Sequence, residues 1–142
     1  MRYFIITGEL SGDMHAAAMV KALKQLDSAA QFQFTGGTFL QNACGTQPLI
    51  ALESMSFMGF YEVLKNIKTI QKNFKKIKSA ILAFKPHALI LVDYPGFNLR
   101  MAKWAKPLGL NVFYYIAPSV WAWNASRITA LKRDVNRLYV IL

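Results

Sequence analysis

Cysteine is almost missing from this chain: Cys44 stands alone, which excludes an intrachain disulfide. Two histidines, His15 and His87, beside one thiol cannot assemble a structural zinc site from imidazole and thiolate, so no structural metal is expected. Long apolar runs are lacking too. Stretches such as Ala88 to Val92 and Val112 to Ala117 fall far short of the ~18 residues a membrane-spanning helix needs. The opening apolar stretch, Tyr3 to Ile6, gives way to Thr7 and Glu9 too soon for the core of a secretory signal, and a cytoplasmic protein is expected. No Ser/Gly-rich linker, internal repeat or low-complexity tract divides the chain.

Acidic residues are also scarce. Seven of them against seventeen Lys and Arg leave a net charge of +10, which favours an anionic partner: nucleic acid, lipid headgroups or a phosphorylated small molecule. The excess is local, because residues 60 to 85 hold seven lysines against Glu62 alone. What is abundant is apolar: 54% of the 142 residues, with only 17% charged, which excludes intrinsic disorder and fits one compact domain.

The patterning alternates short β-branched runs with helical periods. Arg2 to Thr7 reads as a strand, and Gly12 to Leu26 as a helix with apolar positions at Ala16, Val20, Leu23 and Leu26. Phe32 and Phe34 mark a second strand ending at Gly36-Gly37, and a weaker strand is expected near Leu49 to Leu52. Ser56 to Phe84 reads as one helical segment that Lys85-Pro86 ends. Ala88 to Val92 has the composition of a strand covered on both faces. A helix capped by Asn98 and running to about Lys106, a strand at Asn111 to Ile116, a helix at Asn124 to Asp134 and a strand at Leu138 to Leu142 complete the series. This alternation implies an α/β, Rossmann-like parallel sheet with helices on both faces. The last strand ends on bare apolar Leu142, as a cut terminus would, so a fragment is expected.

Ligands of open α/β sheets gather at the carboxyl ends of the strands, which directs attention to three loops. The first, Gly8 to Asp13 (GELSGD), lacks the dinucleotide fingerprint, and Glu9 and Asp13 would repel a pyrophosphate; spacing alone favours Ser11 and Asp13 as caps of the first helix. The second, Asp93 to Asn98 (DYPGFN), sets a carboxylate at the mouth of the most apolar strand. There desolvation could raise its pKa toward a general base's working range, or an Asx-type turn could use it to satisfy backbone amides. The third, Ala117 to Asn124, concentrates Trp121 and Trp123 beside Arg127, residues that stack on sugars or bases, anchor at membrane interfaces, or simply fill a core. His15 and His87 read as surface residues and Cys44 as a small buried hydrophobe.

The long helical segment is amphipathic. Ile67, Ile70, Phe74, Ile77 and Ile81 share one face, while Lys65, Lys68, Lys72, Lys75 and Lys76 crowd roughly the opposite arc. Phe57, Met58, Phe60, Tyr61, Val63 and Leu64 exceed what one core-facing stripe needs. The pattern fits an interfacial helix on an anionic bilayer or a buried helix with a solvated lysine face.

Taken together, GELSGD, Gly36-Gly37, SMSFMGFYEVL from Ser54 to Leu64, DYPGFN, and YYIAPSVWAW from Tyr114 to Trp123 resemble the lipid-A-disaccharide synthase family in order and spacing. The likeness runs along the whole chain and matches the amino-terminal part of the family's sequence. It departs from the family pattern at Ala117 and Asn124, where serine and arginine are usual, and at Leu40, where methionine is common.

The resemblance implies the N-terminal half of a GT-B glycosyltransferase, residues 1 to 142 forming the acceptor- and membrane-facing domain and a nucleotide-binding domain lying outside this chain. It implies an inverting, metal-independent and cofactor-free reaction. UDP-2,3-diacylglucosamine donates its sugar to 2,3-diacylglucosamine 1-phosphate, giving the β-1′,6-linked disaccharide 1-phosphate and UDP. Asp93 would be the base. Glu9, Ser11, Gly12, Asn98, Trp121 and Trp123 would bind substrate. Met58, Phe60, Tyr61, Val63, Leu64, Ile67, Ile70, Lys68 and Lys72 would dock on an anionic membrane, the cytoplasmic face of the inner membrane of a Gram-negative bacterium. A homodimer is the assembly expected of the full-length protein, and the 142 residues alone are expected to fold without catalysing transfer. Two rival readings are another UDP-sugar enzyme of GT-B architecture, such as a 2-epimerase, and a basic nucleic-acid-binding module. The second would show steep salt dependence but has no recognisable nucleic-acid motif here.

Overall fold

The computed structural model describes residues 1–57, 60–116 and 125–140, with the backbone alone at 60, 116 and 125. Its strands are β1 (Arg2–Ile6), β2 (Gln31–Gly36), β3 (Ile50–Ala51), β4 (Ala88–Val92), β5 (Val112–Ile116) and β6 (Arg137–Val140). Its helices are α1 (Leu10–Leu26), α2 (Thr38–Cys44), α3 (Phe60–Lys65), α4 (Ile67–Phe84), α5 (Pro95–Ala105) and α6 (Ala125–Asp134), with short 3-10 turns at Leu52–Ser54 and Lys106–Leu108.

All strand pairs are parallel, in the order β3-β2-β1-β4-β5-β6. The chain starts at the centre, runs outward through β2 and β3, then returns to lay β4 against the other side of β1. That reversal opens a crevice between the carboxyl ends of β1 and β4, where neighbouring loops depart in opposite directions.

The alternation within the strands supplies two cores. Tyr3 and Ile5 of β1 and Ala88, Ile90 and Val92 of β4 pack with Ala16, Ala17 and Val20 of α1 and Leu40, Ala43 and Cys44 of α2. Phe4, Ile6, Leu89 and Leu91 face the other way, onto Ile77 and Ile81 of α4, Met101 and Ala105 of α5 and Leu131 of α6. A parallel sheet buried on both faces is the arrangement expected from strands with no polar side. The α/β, Rossmann-like reading holds. Among the described residues, no helix is long and apolar enough to cross a membrane.

Three local expectations are corrected. The helix expected from Ser56 to Phe84 is two helices, broken at Asn66 (φ −110°, ψ 20°), whose side-chain amide donates to the Glu62 carbonyl at 2.9 Å. A small amide that hydrogen-bonds local backbone ends a helix in spite of uninterrupted apolar spacing. Asn98 does not cap α5, which begins three residues earlier with Pro95 in its first turn, a position where the missing N–H costs nothing.

Nor do Ser11 and Asp13 cap α1. Ser11 is exposed, and the buried Asp13 carboxylate reaches across to the start of α2, accepting from the backbone N–H groups of Gly37 (2.7 Å), Phe39 (3.1 Å) and Leu40 (3.4 Å). A Cβ at Gly36 would lie 2.7 Å from Asp13 Oδ1, and one at Gly37 3.0 Å from Oδ2, so the glycine pair makes room for a carboxylate from another helix. Cys44, buried as expected, has its thiol pushed up to about 11, chiefly by burial. Removing the Asp13 acceptor leaves buried N–H groups unpaired. Asp13→Ala is expected to lower the unfolding free energy by about 1–3 kcal/mol in urea titration, with Asp13→Asn retaining part of it; an unchanged midpoint would refute the cross-helix cap.

Candidate active site

The crevice is built from the loops that follow β1 and β4. Buried Thr7 and Thr35 exchange side-chain hydrogen bonds, Thr7 Oγ1 donating to the Thr35 carbonyl at 2.8 Å and Thr35 Oγ1 to the Thr7 carbonyl at 2.9 Å, which pins the ends of β1 and β2 together. After β4 the backbone does something unusual. Asp93 (φ 45°) and Tyr94 (φ 52°) are consecutive left-handed residues, neither of them glycine, a conformation that costs on the order of 1–3 kcal/mol per residue.

Specific bonds hold it. The Asp93 N–H donates to the Tyr115 carbonyl at 2.9 Å. The Asp93 carbonyl accepts from the Tyr114 hydroxyl at 2.6 Å and from Asn98 Nδ2 at 2.9 Å. Asn98 is fully buried, and the same amide also approaches the carbonyls of Ile6 (3.4 Å) and Val92 (3.3 Å), joining the ends of both central strands. Tyr94 lies over Gly8, where an added Cβ would come within 2.6 Å of its ring, and its hydroxyl donates to the Met55 carbonyl. Ser56 Oγ donates to the Gly8 carbonyl at 2.5 Å, so three loops distant in sequence are knitted into one wall.

This framework leaves Asp93 half-buried at the carboxyl edge of the sheet rather than sealed inside. Glu9, also half-buried, has its carboxyl pKa raised, first because burial withholds water and second because the Asp93 charge is near. Burial and, after it, the Asp93 charge raise the Tyr114 hydroxyl well above its usual range, with Arg127 and Asn98 partly opposing. The hydroxyl therefore remains a donor to the Asp93 carbonyl.

A groove of about 450 Å³ opens beside these groups. Phe57, Val63 of α3, and Ile67, Ile70 and Phe74 of α4 supply apolar lining; Tyr94 and Phe97 complete it, with the Phe74 and Phe97 rings stacked at 3.9 Å. Its charged lining consists of Glu9, Arg100 and Arg127. An apolar cavity of about 380 Å³ bounded by Tyr3, Met19, Leu23, Phe113 and Tyr139 has no ionised carboxylate or guanidinium in its lining, so the chemistry points to the first groove. Among the described residues, no group of three His, Cys, Asp or Glu could hold a metal ion.

Comparison with known proteins decides the family. The model of the lipid-A-disaccharide synthetase family matches residues 3–142. The chain belongs to this family. The lipid-A-disaccharide synthase of Trichlorobacter lovleyi is 43% identical over 141 residues, covering 99% of this chain and 37% of the relative. Lipid-A-disaccharide synthase 1 of Legionella pneumophila strain Paris is 42% identical over 141 residues, covering 99% and 36%. The chain thus spans little more than a third of the length of these relatives. A crystal structure described as a putative UDP-N-acetylglucosamine 2-epimerase from Listeria monocytogenes superimposes with a TM-score of 0.68 at 12% identity, over 99% of this chain and 39% of that one, which shows a shared fold.

Within this synthetase-family framework the expected site residues separate. Glu9 lines the groove, next to the Asp93 loop. Ser11 is exposed on the first turn of α1, and Gly12 is buried in that helix, where a Cβ would meet Val92 at 3.4 Å. Asn98 does not line the groove: it is wholly inside and acts on the Asp93 carbonyl. Trp121, Trp123, Ala117, Asn124 and Met58 lie outside the described residues, as does the Phe60 side chain.

Tyr61, Val63, Leu64, Ile67, Lys68 and Lys72 are exposed, while Ile70 is half-buried. Sequence reasoning passed over Tyr94, Arg100 and the support role of Tyr114. The signal for Tyr114 was present, since alternate positions of a covered strand must turn inward and a buried tyrosine hydroxyl needs an acceptor.

Glu9 gives a pH test. Its folded carboxyl binds a proton more readily than the unfolded one, so the stability it lends is present below the ordinary glutamate range and is lost as pH rises through the higher folded value. Glu9→Gln is expected to raise the melting temperature relative to the parent at pH 7 but not at pH 4; an equal shift at both would refute the assignment.

Proposed function

We propose that this chain is the acceptor- and membrane-facing part of an enzyme that transfers 2,3-diacylglucosamine from UDP to 2,3-diacylglucosamine 1-phosphate. The observation that carries the reading is a half-buried carboxylate, Asp93, held at the switch point of the sheet beside an apolar groove, in a chain of the lipid-A-disaccharide synthetase family. Asp93 takes the proton of the acceptor's 6-hydroxyl as that oxygen attacks the anomeric carbon of the donor. The bond from that carbon to the UDP oxygen breaks on the opposite face, and UDP leaves with inversion. The step needs a base, an in-line approach and a dry pocket for lipid, and uses no metal. In this reading the nucleotide site lies in polypeptide outside these 142 residues, which span little more than a third of the length of the relatives.

Docking on an anionic bilayer, at the cytoplasmic face of the inner membrane, accounts for the surface beside the groove. Tyr61 is 75% exposed and Leu64 55%, next to the exposed lysines of α4. Burying such a side chain is worth about 1.5–3 kcal/mol, and each lysine near an anionic surface adds ~1 kcal/mol. The 2-epimerase reading has the fold in its favour but gives no reason for this surface.

Two measurements test the proposal. In the complete enzyme, Asp93→Asn is expected to reduce disaccharide formation by about 10²- to 10⁴-fold at unchanged vesicle binding, while the 142-residue chain alone forms none; near-normal turnover would remove Asp93 from the mechanism. In co-sedimentation with phosphatidylglycerol vesicles, the chain is expected to bind, less so at high salt, and to lose binding when Tyr61, Val63 and Leu64 are changed to serine. Binding unaffected by those changes would exclude docking through this patch.

A further inference from the structure

We propose that Arg100 and Arg127 hold the phosphate of the lipid acceptor while one of its acyl chains occupies the apolar groove; this rests on the function proposed above. The groove has an amphiphile's chemistry. Its walls are aliphatic and aromatic, yet an arginine lines it from each of two helices, the exposed Arg100 of α5 and the half-buried Arg127 of α6. An acyl chain or a neutral sugar gives no reason for two guanidiniums in such a lining. A lipid carrying a phosphomonoester does, because the guanidinium fork matches phosphate oxygens two at a time.

Glu9 is the one acidic residue lining the groove among the described residues, so the lining remains net positive. Arg100 forms no ion pair among the described residues. Arg127 and the Asp93 carboxylate both act electrostatically on the Tyr114 hydroxyl, so the cation and the carboxylate share a neighbour. In glucosamine 1-phosphate the phosphate and the 6-hydroxyl are separated by a single sugar ring. A base for one and a cation for the other must therefore be near neighbours, as here.

The probe is didecanoyl-glucosamine 1-phosphate in detergent micelles, compared with the same lipid lacking phosphate. The 142-residue chain is expected to prefer the phosphorylated lipid by about ten- to a hundred-fold, Arg100→Ala and Arg127→Ala each to erode the preference, and the double change to abolish it. Lysine at either position should restore it in part. Absence of preference in the parent, or its survival in the double variant, overturns the proposal. So does an equal loss of binding to phosphatidylglycerol vesicles, which would make both arginines general bilayer contacts. In the complete enzyme the two alanine changes should raise the KM for acceptor and leave that for donor unchanged. A parent enzyme that prefers the phosphorylated lipid but forms no disaccharide refutes the proposed reaction and not the site; an active parent with no preference refutes the site alone.

Discussion

The grip of Tyr114 and Asn98 on one carbonyl, that of Asp93, is the constraint on which the rest of this structure depends. Two successive left-handed residues would relax if the peptide between them were free. Both donors are buried, so water cannot replace either bond without entering the core, and losing one partner would leave the other group unsatisfied. The cost of the turn is thus met by buried groups belonging to β5 and α5. In return the turn places the Asp93 carboxylate at the crevice and swings Tyr94 over Gly8 to reach Met55, so that one distorted peptide arranges three loops.

The second organising feature is a gradient along α4. Ile77 and Ile81 are almost completely buried beneath the sheet, Phe74 and Ile70 are half-covered, and Ile67 is 39% exposed. The apolar stripe is continuous in sequence, but its burial falls away toward the start of the helix. Its outer end lines the groove with the same face that its inner end uses for packing. The stripe therefore anchors the helix at one end and lines an open apolar groove at the other.

This division also explains what could be read from the residues alone. β4 was legible because five consecutive apolar residues leave no face for water, and the basic arc of α4 because helical spacing separates lysine from isoleucine. The parallel direction of the strands followed from their alternation with helices and from crossover handedness. What escaped were polar groups acting between distant elements. Asp13 stands in the first turn of α1, where a local cap is the natural expectation, yet its partners lie twenty-four or more residues on. Asn98 looks like a helix cap until Pro95 is found already inside the helix. The break at Asn66 is invisible to apolar periodicity, which continues through it. Asp93 was identifiable as a candidate, but its left-handed backbone was not, since nothing within the DYPGFN segment contains Tyr114.

The overlap between the groove and the exposed patch gives the proposed reaction its physical sense. Val63 and Ile67 are exposed and also line the groove, so its entrance and the apolar surface of α3 and α4 are one continuous region. A diacyl sugar leaving a bilayer through water would expose each methylene at about 0.8 kcal/mol, a prohibitive total for two chains. If the exposed patch docks on a bilayer as proposed, a groove that shares its rim with that patch would remove the barrier, because the lipid would pass from one apolar environment to another. Only the sugar and its phosphate would then need polar partners; Glu9 feels the Asp93 charge, Arg127 and Asp93 both act on the Tyr114 hydroxyl, and Arg100 lines the same groove. In the proposed reaction the strained turn and the exposed end of α4 would be parts of one device, the first aiming the Asp93 carboxylate at a hydroxyl and the second keeping a lipid tail out of water.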